Sequence, residues 1–166
     1  MPKLIKRDGA ELAFADDIFA DVADEDAIPD GPVILSLTRF QAEGDALIGA
    51  NRPVGVRIQS DEEVEALAYD LPRIAVVALV FPKFRDGRAY TSARLLRERF
   101  AYAGEVRAVG DVLLEQARFM IRCGFDAFVP ADGSTPEEWA AAASRYRHVY
   151  QRAADTRPPA FAERVS

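Results

Sequence analysis

The sequence predicts an α/β domain of five sequential βα units around a parallel sheet, preceded by a small β-hairpin. Three observations predict it. Short apolar runs recur at 33–37, 54–58, 74–81, 105–109 and 125–129, with the length and composition of buried strands. Each is followed by a segment with helical spacing or helix-start residues. Polar residues concentrate where the strands end, the place of the ligand crevice in parallel α/β domains. If neighbouring runs pair in order, the sheet is a partial, TIM-like β/α barrel with five of the eight units of a closed one. If the order reverses, it is a flavodoxin-like open sheet. The short, uniform units favour the sequential arrangement. An incomplete barrel leaves edges, which the N-terminal ribbon or a second subunit (a homo-oligomer) would cover.

Taken in order, Lys3 to Lys6 and Glu11 to Phe14 flank Asp8-Gly9, a hairpin signal. Residues 16–31 are acidic, with Ile18, Phe19 and Val22 as scattered anchors, and read as an arm with a short helical turn. The run at 33–37 is followed by a weak helix from Thr38 to about Ile48, closed by Gly49 and Asn51-Arg52-Pro53. After 54–58, Ser60 and Glu63 have capping-box spacing for a helix from Asp61 to Asp70, ended by Pro72. The strand 74–81 breaks at Pro82, and Thr91 or Ser92 caps a helix to Phe100. Asp111 is placed to cap the next helix, which stops at Gly124, a residue suited to a left-handed C-cap. After 125–129 comes the Pro130–Gly133 turn. Thr135-Pro136-Glu137-Glu138 then opens a helix to about Tyr150. Three parts result: 1–31, hairpin and acidic arm; 32–150, the α/β domain; 151–166, a tail expected to fray.

With 166 residues, 49% hydrophobic and 29% charged, the composition is that of one soluble globular domain. No apolar run approaches the roughly 20 residues that span a bilayer. Lys3, Lys6 and Arg7 are followed by no apolar core or cleavage site, so a cytoplasmic location is expected. The one cysteine, Cys123, allows no internal disulfide. The net charge of −6 resides wholly in residues 1–31, where nine acids face three cations. Residues 81–122 are the reverse, with nine Lys/Arg and five acids. The two regions are expected to attract each other or to present two partner surfaces. An isoelectric point near 4.9 disfavours nucleic acid as a partner.

The loop Lys83 to Tyr90 follows the longest strand and carries Lys83, Arg85 and Arg88, with Asp86-Gly87 to turn it. Beside a helix start at Ser92, these cations suit a small oxyanion or an acidic partner. They also suit ion pairs with the acidic arm. Arg94 and Arg97, three apart on one helix, extend this face or are simply solvated. Arg57 and Arg107 lie inside strands, where a charge must be paired. Asp111, Glu115 or Glu105 are candidate partners, and a ligand-facing role is the alternative. Asp111, just after a strand end, is the candidate for acid–base work. Cys123 and His148 lack the neighbours of a nucleophile or metal ligand, and no Cys-x-x-Cys, Gly-rich dinucleotide motif or P-loop occurs. No cofactor is encoded by a recognisable motif.

The runs Phe81-Pro82-Lys83-Phe84, Asp86-Gly87-Arg88, Ser92 to Arg97, Arg107 to Leu113 and Arg122 to Phe128 resemble a bacterial family of unknown function, domain-of-unknown-function family 934. Its members are described as probable oxidoreductases involved in sulfite reduction. Their genes commonly stand beside those for assimilatory sulfite reductase, a sirohaem and iron–sulfur enzyme. The match is specific over 81–129, looser over 32–58 and weak at both ends. What the resemblance implies is a pathway. Since no redox fingerprint is present, an accessory protein that docks on sulfite reductase or its electron donor, or handles a sulfur oxyanion, is the expectation. An enzyme acting on a sulfur or phosphate oxyanion, and a flavin- or nicotinamide-dependent oxidoreductase, are the alternatives.

Overall fold

A computed structural model describes residues 3–163. Eight strands form one sheet in the order β2-β1-β8-β7-β6-β5-β4-β3. They are β1 Leu4–Asp8, β2 Glu11–Ala15, β3 Ala20–Asp21, β4 Val33–Ser36, β5 Val54–Ile58, β6 Val76–Phe81, β7 Glu105–Gly110 and β8 Ala127–Phe128. From β3 to β8 all neighbours are parallel and consecutive, so no reversal of order occurs. The strand order is sequential, not doubly wound, but the parallel part has six strands rather than five, since β3 forms within the acidic arm that read as a loop with a helical turn. β1 pairs antiparallel with β8 and carries β2 as a hairpin, turned at Gly9 with φ 57°.

The edges of this sheet are β2 and β3, only four residues apart in the chain. Five Cα steps reach at most about 18 Å, whereas eight flat strands would hold their edges about 34 Å apart. The sheet must therefore curl, and it forms a half-barrel. Residues 16–19 run as a chord across its open side.

The helices lie on the other, convex face: α1 Leu37–Gly49, α2 Arg88–Arg94, α3 Ala117–Cys123 and α4 Pro136–Ser144, with a short α5 Ala160–Glu163 in the tail. Val33, Leu35, Val56, Val77, Leu79, Phe81, Val106 and Phe128 alternate onto that face and pack against Phe40, Leu67, Leu96, Met120 and Trp139. The concave face has only a small apolar cluster, Ile34, Val76 and Ala78, with Phe19 of the chord laid on it.

Several elements differ from the sequence reading. The 61–70 segment is not an α-helix but two tight turns, Val64–Leu67 and Leu71–Arg73. Val64, Leu67 and Leu71 are buried, but Pro72 interrupts backbone donation and the path to β6 is short. The third helix starts at Arg88, with Gly87 before it, and its last turn, Leu95–Arg99, widens to a π-helix. Ser92 is thus inside the helix and caps nothing. After Gly110 the chain forms a tight turn, Leu114–Gln116, before α3. Asp132, not Asp111, accepts from the Leu114 N–H at 2.9 Å. Gly124 adopts the expected left-handed C-cap, φ 104°. The Thr135–Glu138 capping box forms, but α4 ends at Ser144. The tail folds back on α3, with Arg122 bonded to Asp155 at 3.0 Å. No described helix is long and apolar enough to cross a membrane.

Candidate functional site

The carboxyl rim is built where β6 and β7 end together. Their last paired residues are Phe81 and Gly110. Gly110 has φ +94°, and a Cβ there would lie 2.4 Å from the Phe81 carbonyl oxygen, so only glycine allows this approach. The Asp111 N–H then donates to the Phe81 carbonyl at 2.7 Å. One Asp111 Oδ accepts from the Phe84 N–H, also at 2.7 Å. Asp111 therefore fastens the 82–87 loop to the corner after β7. The far side of the loop is fastened by Asp86. It accepts from Arg88 Nε at 3.0 Å and Nη2 at 2.6 Å, while Arg88 also donates to Ser60 Oγ at 2.9 Å. The Arg88 guanidinium holds the Asp86 carboxyl well below the usual carboxylate range.

Between these two anchors the loop presents Lys83-Phe84-Arg85. Phe84 is 44% exposed. Among the described residues, the Lys83 and Arg85 side chains form no hydrogen bond or ion pair. The rim thus brings Lys83, Arg85, Asp86, Arg88 and Asp111 together, with Arg88 neutralised inside the loop. The larger hollows of the surface are lined by other residues.

The remaining candidates lie elsewhere. Tyr90 turns inward, edge-on to Phe81 and Phe119 at 5.2 and 5.8 Å between centroids, and burial pushes its phenol up to about 12. Ser92 bonds back within its helix to the Arg88 carbonyl at 3.4 Å. Arg94 pairs with Glu98 one turn on. Arg97 is at the opposite, amino rim, donating to the carbonyls of Tyr102, Gly104 and Gly124 and to Asp126 over 2.7–2.9 Å. It is a clamp for the starts of β7 and β8.

Arg57 and Arg107 stand on the concave face. Register places Ser36, Arg57, Ala78, Arg107, Ala127 and Lys6 in one row across six strands, so their side chains share a side. Arg107 Nε donates to Glu105 at 2.6 Å and Nη1 to Asp17 at 2.7 Å. Lys6 meets the other Glu105 oxygen at 2.7 Å. Arg57 pairs with Asp21. Glu105 was among the partners the sequence suggested. Asp17 and Asp21 were not, and the only signal for them was the opposite charge of arm and centre.

Two hollows flank α3. One of about 570 Å³ at the amino rim is lined by Arg7, Arg97, Arg118 and Arg122, but Arg118 and Arg122 are engaged with tail carbonyls and Asp155. A second of about 900 Å³ lies between α3 and α4, beside Phe119 and Tyr146. Burial raises the Cys123 thiol despite Arg94 and Arg122 nearby, so it is poorly suited to nucleophilic work. Among the described residues, no three His, Cys, Asp or Glu side chains are grouped to hold a metal ion.

The model of a family of bacterial proteins of unknown function, DUF934, matches residues 55–161. The chain belongs to this family. The DUF934 span contains the whole carboxyl rim and both Arg57 and Arg107, and it omits the chord with Asp17 and Asp21. No curated protein matches the chain.

Proposed function

We propose that this DUF934 protein is an accessory factor in assimilatory sulfite reduction. It docks through its carboxyl rim on an acidic face of sulfite reductase or of its electron donor. One observation carries the reading: Lys83 and Arg85, which flank the half-exposed Phe84 in the chain, are unpaired among the described residues, on a loop fastened at both ends. A fixed aromatic between two free cations is what an interface anchor with electrostatic steering requires. Fastening the loop beforehand spares much of the ordering cost of association. The pathway comes from the family resemblance, and the rim supplies a means of taking part in it.

The test is complex formation with the purified reductase and with its purified donor at low ionic strength. Wild-type protein is expected to co-elute with one of them on gel filtration, and Lys83→Glu/Arg85→Glu is not, with Tm unchanged. Failure of the wild type to associate with either would overturn the proposal.

A further inference from the structure

The floor of the half-barrel is independent of the docking rim. Side chains on it converge because the sheet is curled, and Ala78, small and set between Arg57 and Arg107, lies under the Phe19 ring of the chord. Arg107 is 2% exposed, and its Nη2 is buried with no hydrogen-bond partner among the described residues. Its neighbours Nε and Nη1 are both bonded to carboxylates. A buried guanidinium donor left open is costly and marks a place for one more acceptor oxygen. The floor alone holds three cations, Lys6, Arg57 and Arg107, and one carboxylate, Glu105, an excess of two positive charges. Asp17 on the chord and Asp21 on β3 just after it cancel this excess, and the Phe19 ring covers Arg107, 5.8 Å from the guanidinium carbon.

We infer that the concave floor is a binding site for a small, doubly charged oxyanion of the sulfate or phosphate class, held by Arg57 and Arg107, and that Asp17 and Asp21 occupy it when it is empty. A tetrahedral dianion restores neutrality as the two carboxylates do. It also has the extra oxygen that Arg107 Nη2 lacks, which two carboxylates at fixed positions on the chord and β3 do not supply. Asp21 is held at a cost: burial raises it from its ordinary value even against Arg57. The chord is anchored at both ends, Ala15 opposite Leu4 of β1 on one side and the Ala20 and Val22 N–H groups paired with Pro32 and Ile34 on the other. Residues 16–19, with no ladder pairing of their own, are the part that bows out and carries Asp17 away. Asp21, on the paired strand β3, leaves Arg57 by turning its half-exposed side chain outward. The ligand competes with the chord, so its apparent affinity is lowered by the fraction of molecules in which the chord is closed.

The probe is inorganic sulfate, titrated at constant ionic strength against chloride. Asp17→Asn/Asp21→Asn keeps the shape of the chord and of β3 and removes the two charges. This variant is expected to bind sulfate at least tenfold more tightly than wild type, read by calorimetry, and to lose that binding when Arg57→Gln is added. No sulfate binding by the double variant, or binding that survives Arg57→Gln, would overturn the inference. Should the double variant fail to fold, hydrogen exchange of wild type decides. Sulfate must speed exchange of the Phe19 amide, which bonds to Asp17 Oδ1, and leave that of Val22 slow. Unchanged Phe19 exchange would overturn the inference equally. Either failure leaves the docking proposal untouched, because Lys83 and Arg85 are not on this face.

Discussion

Asp111, which the sequence offered as a catalytic acid or a helix cap, fastens the 82–87 loop at the rim. Its place after a strand end was legible, because Val109-Gly110-Asp111 closes an apolar run. Its partner was not, because the Phe84 N–H is brought to it by pairing of β6 with β7. The capping role passed to Asp132, which reaches Leu114 from a turn that the sequence did announce. Asp111→Ala is expected to cost about 1–2 kcal/mol, since an N–H bonded to a carboxylate is left open, and to loosen the loop. Asp111→Asn keeps an acceptor and should cost less, which urea unfolding of the two variants will check. Gly110→Ala combines a positive φ with a collision at the Phe81 carbonyl. A loss of roughly 2–4 kcal/mol is expected, measurable in the same way. Asp86 titrates below its unfolded-state value because Arg88 bonds to it. A depressed folded value means the contribution is full above about pH 4 and fades as pH falls below it. The Tm difference between wild type and Asp86→Asn should therefore shrink on acidification from neutral pH, and a gap that widened would contradict the pairing.

At the scale of elements, strands were easier to read than helices. The apolar runs and their order carried through to β4–β8, whose burial leaves little choice of residue type. Helix limits depended on partners distant in sequence. Arg88 to Tyr90 read as loop because they are polar and follow Asp-Gly, yet Ala89 and Ala93 are buried against the sheet and draw the helix start forward. Between β5 and β6 the Ser60/Glu63 spacing announced a helix, but the short span to Pro72 left only tight turns. Arg97 read as part of a basic face, although it ties α2 to the entry of β7 and β8 through three carbonyls and Asp126. Arg97→Ala should cost about 2–3 kcal/mol by leaving several acceptors, one of them charged, without donors. Arg97→Lys should recover little, since a single ammonium cannot reproduce the planar fork. Thermal unfolding of both variants distinguishes this from a solvated arginine, whose loss would change almost nothing.

Over the whole molecule, charge is sorted by surface. Acids of the N-terminal arm cross the open side of the half-barrel and meet Arg57 and Arg107, while Lys83 and Arg85 remain free at the carboxyl rim. The sequence showed that arm and centre would attract, because residues 1–31 and 81–122 differ in sign. It could not show which cations the arm would neutralise, since that follows from β2 and β3 becoming opposite edges of one sheet. With the strand arginines consumed internally, the rim cations are among those left to act between molecules, and they alone flank an exposed aromatic on a fastened loop. The direct test is the dissociation constant for the preferred partner, reductase or donor, from about 20 to 200 mM salt, a range over which exposed charges become screened. For wild type, affinity should fall steeply with salt, and Lys83→Glu/Arg85→Glu should bind at least tenfold more weakly at the low end with a flattened slope. Equal affinities and equal slopes for the two proteins would contradict docking through the rim.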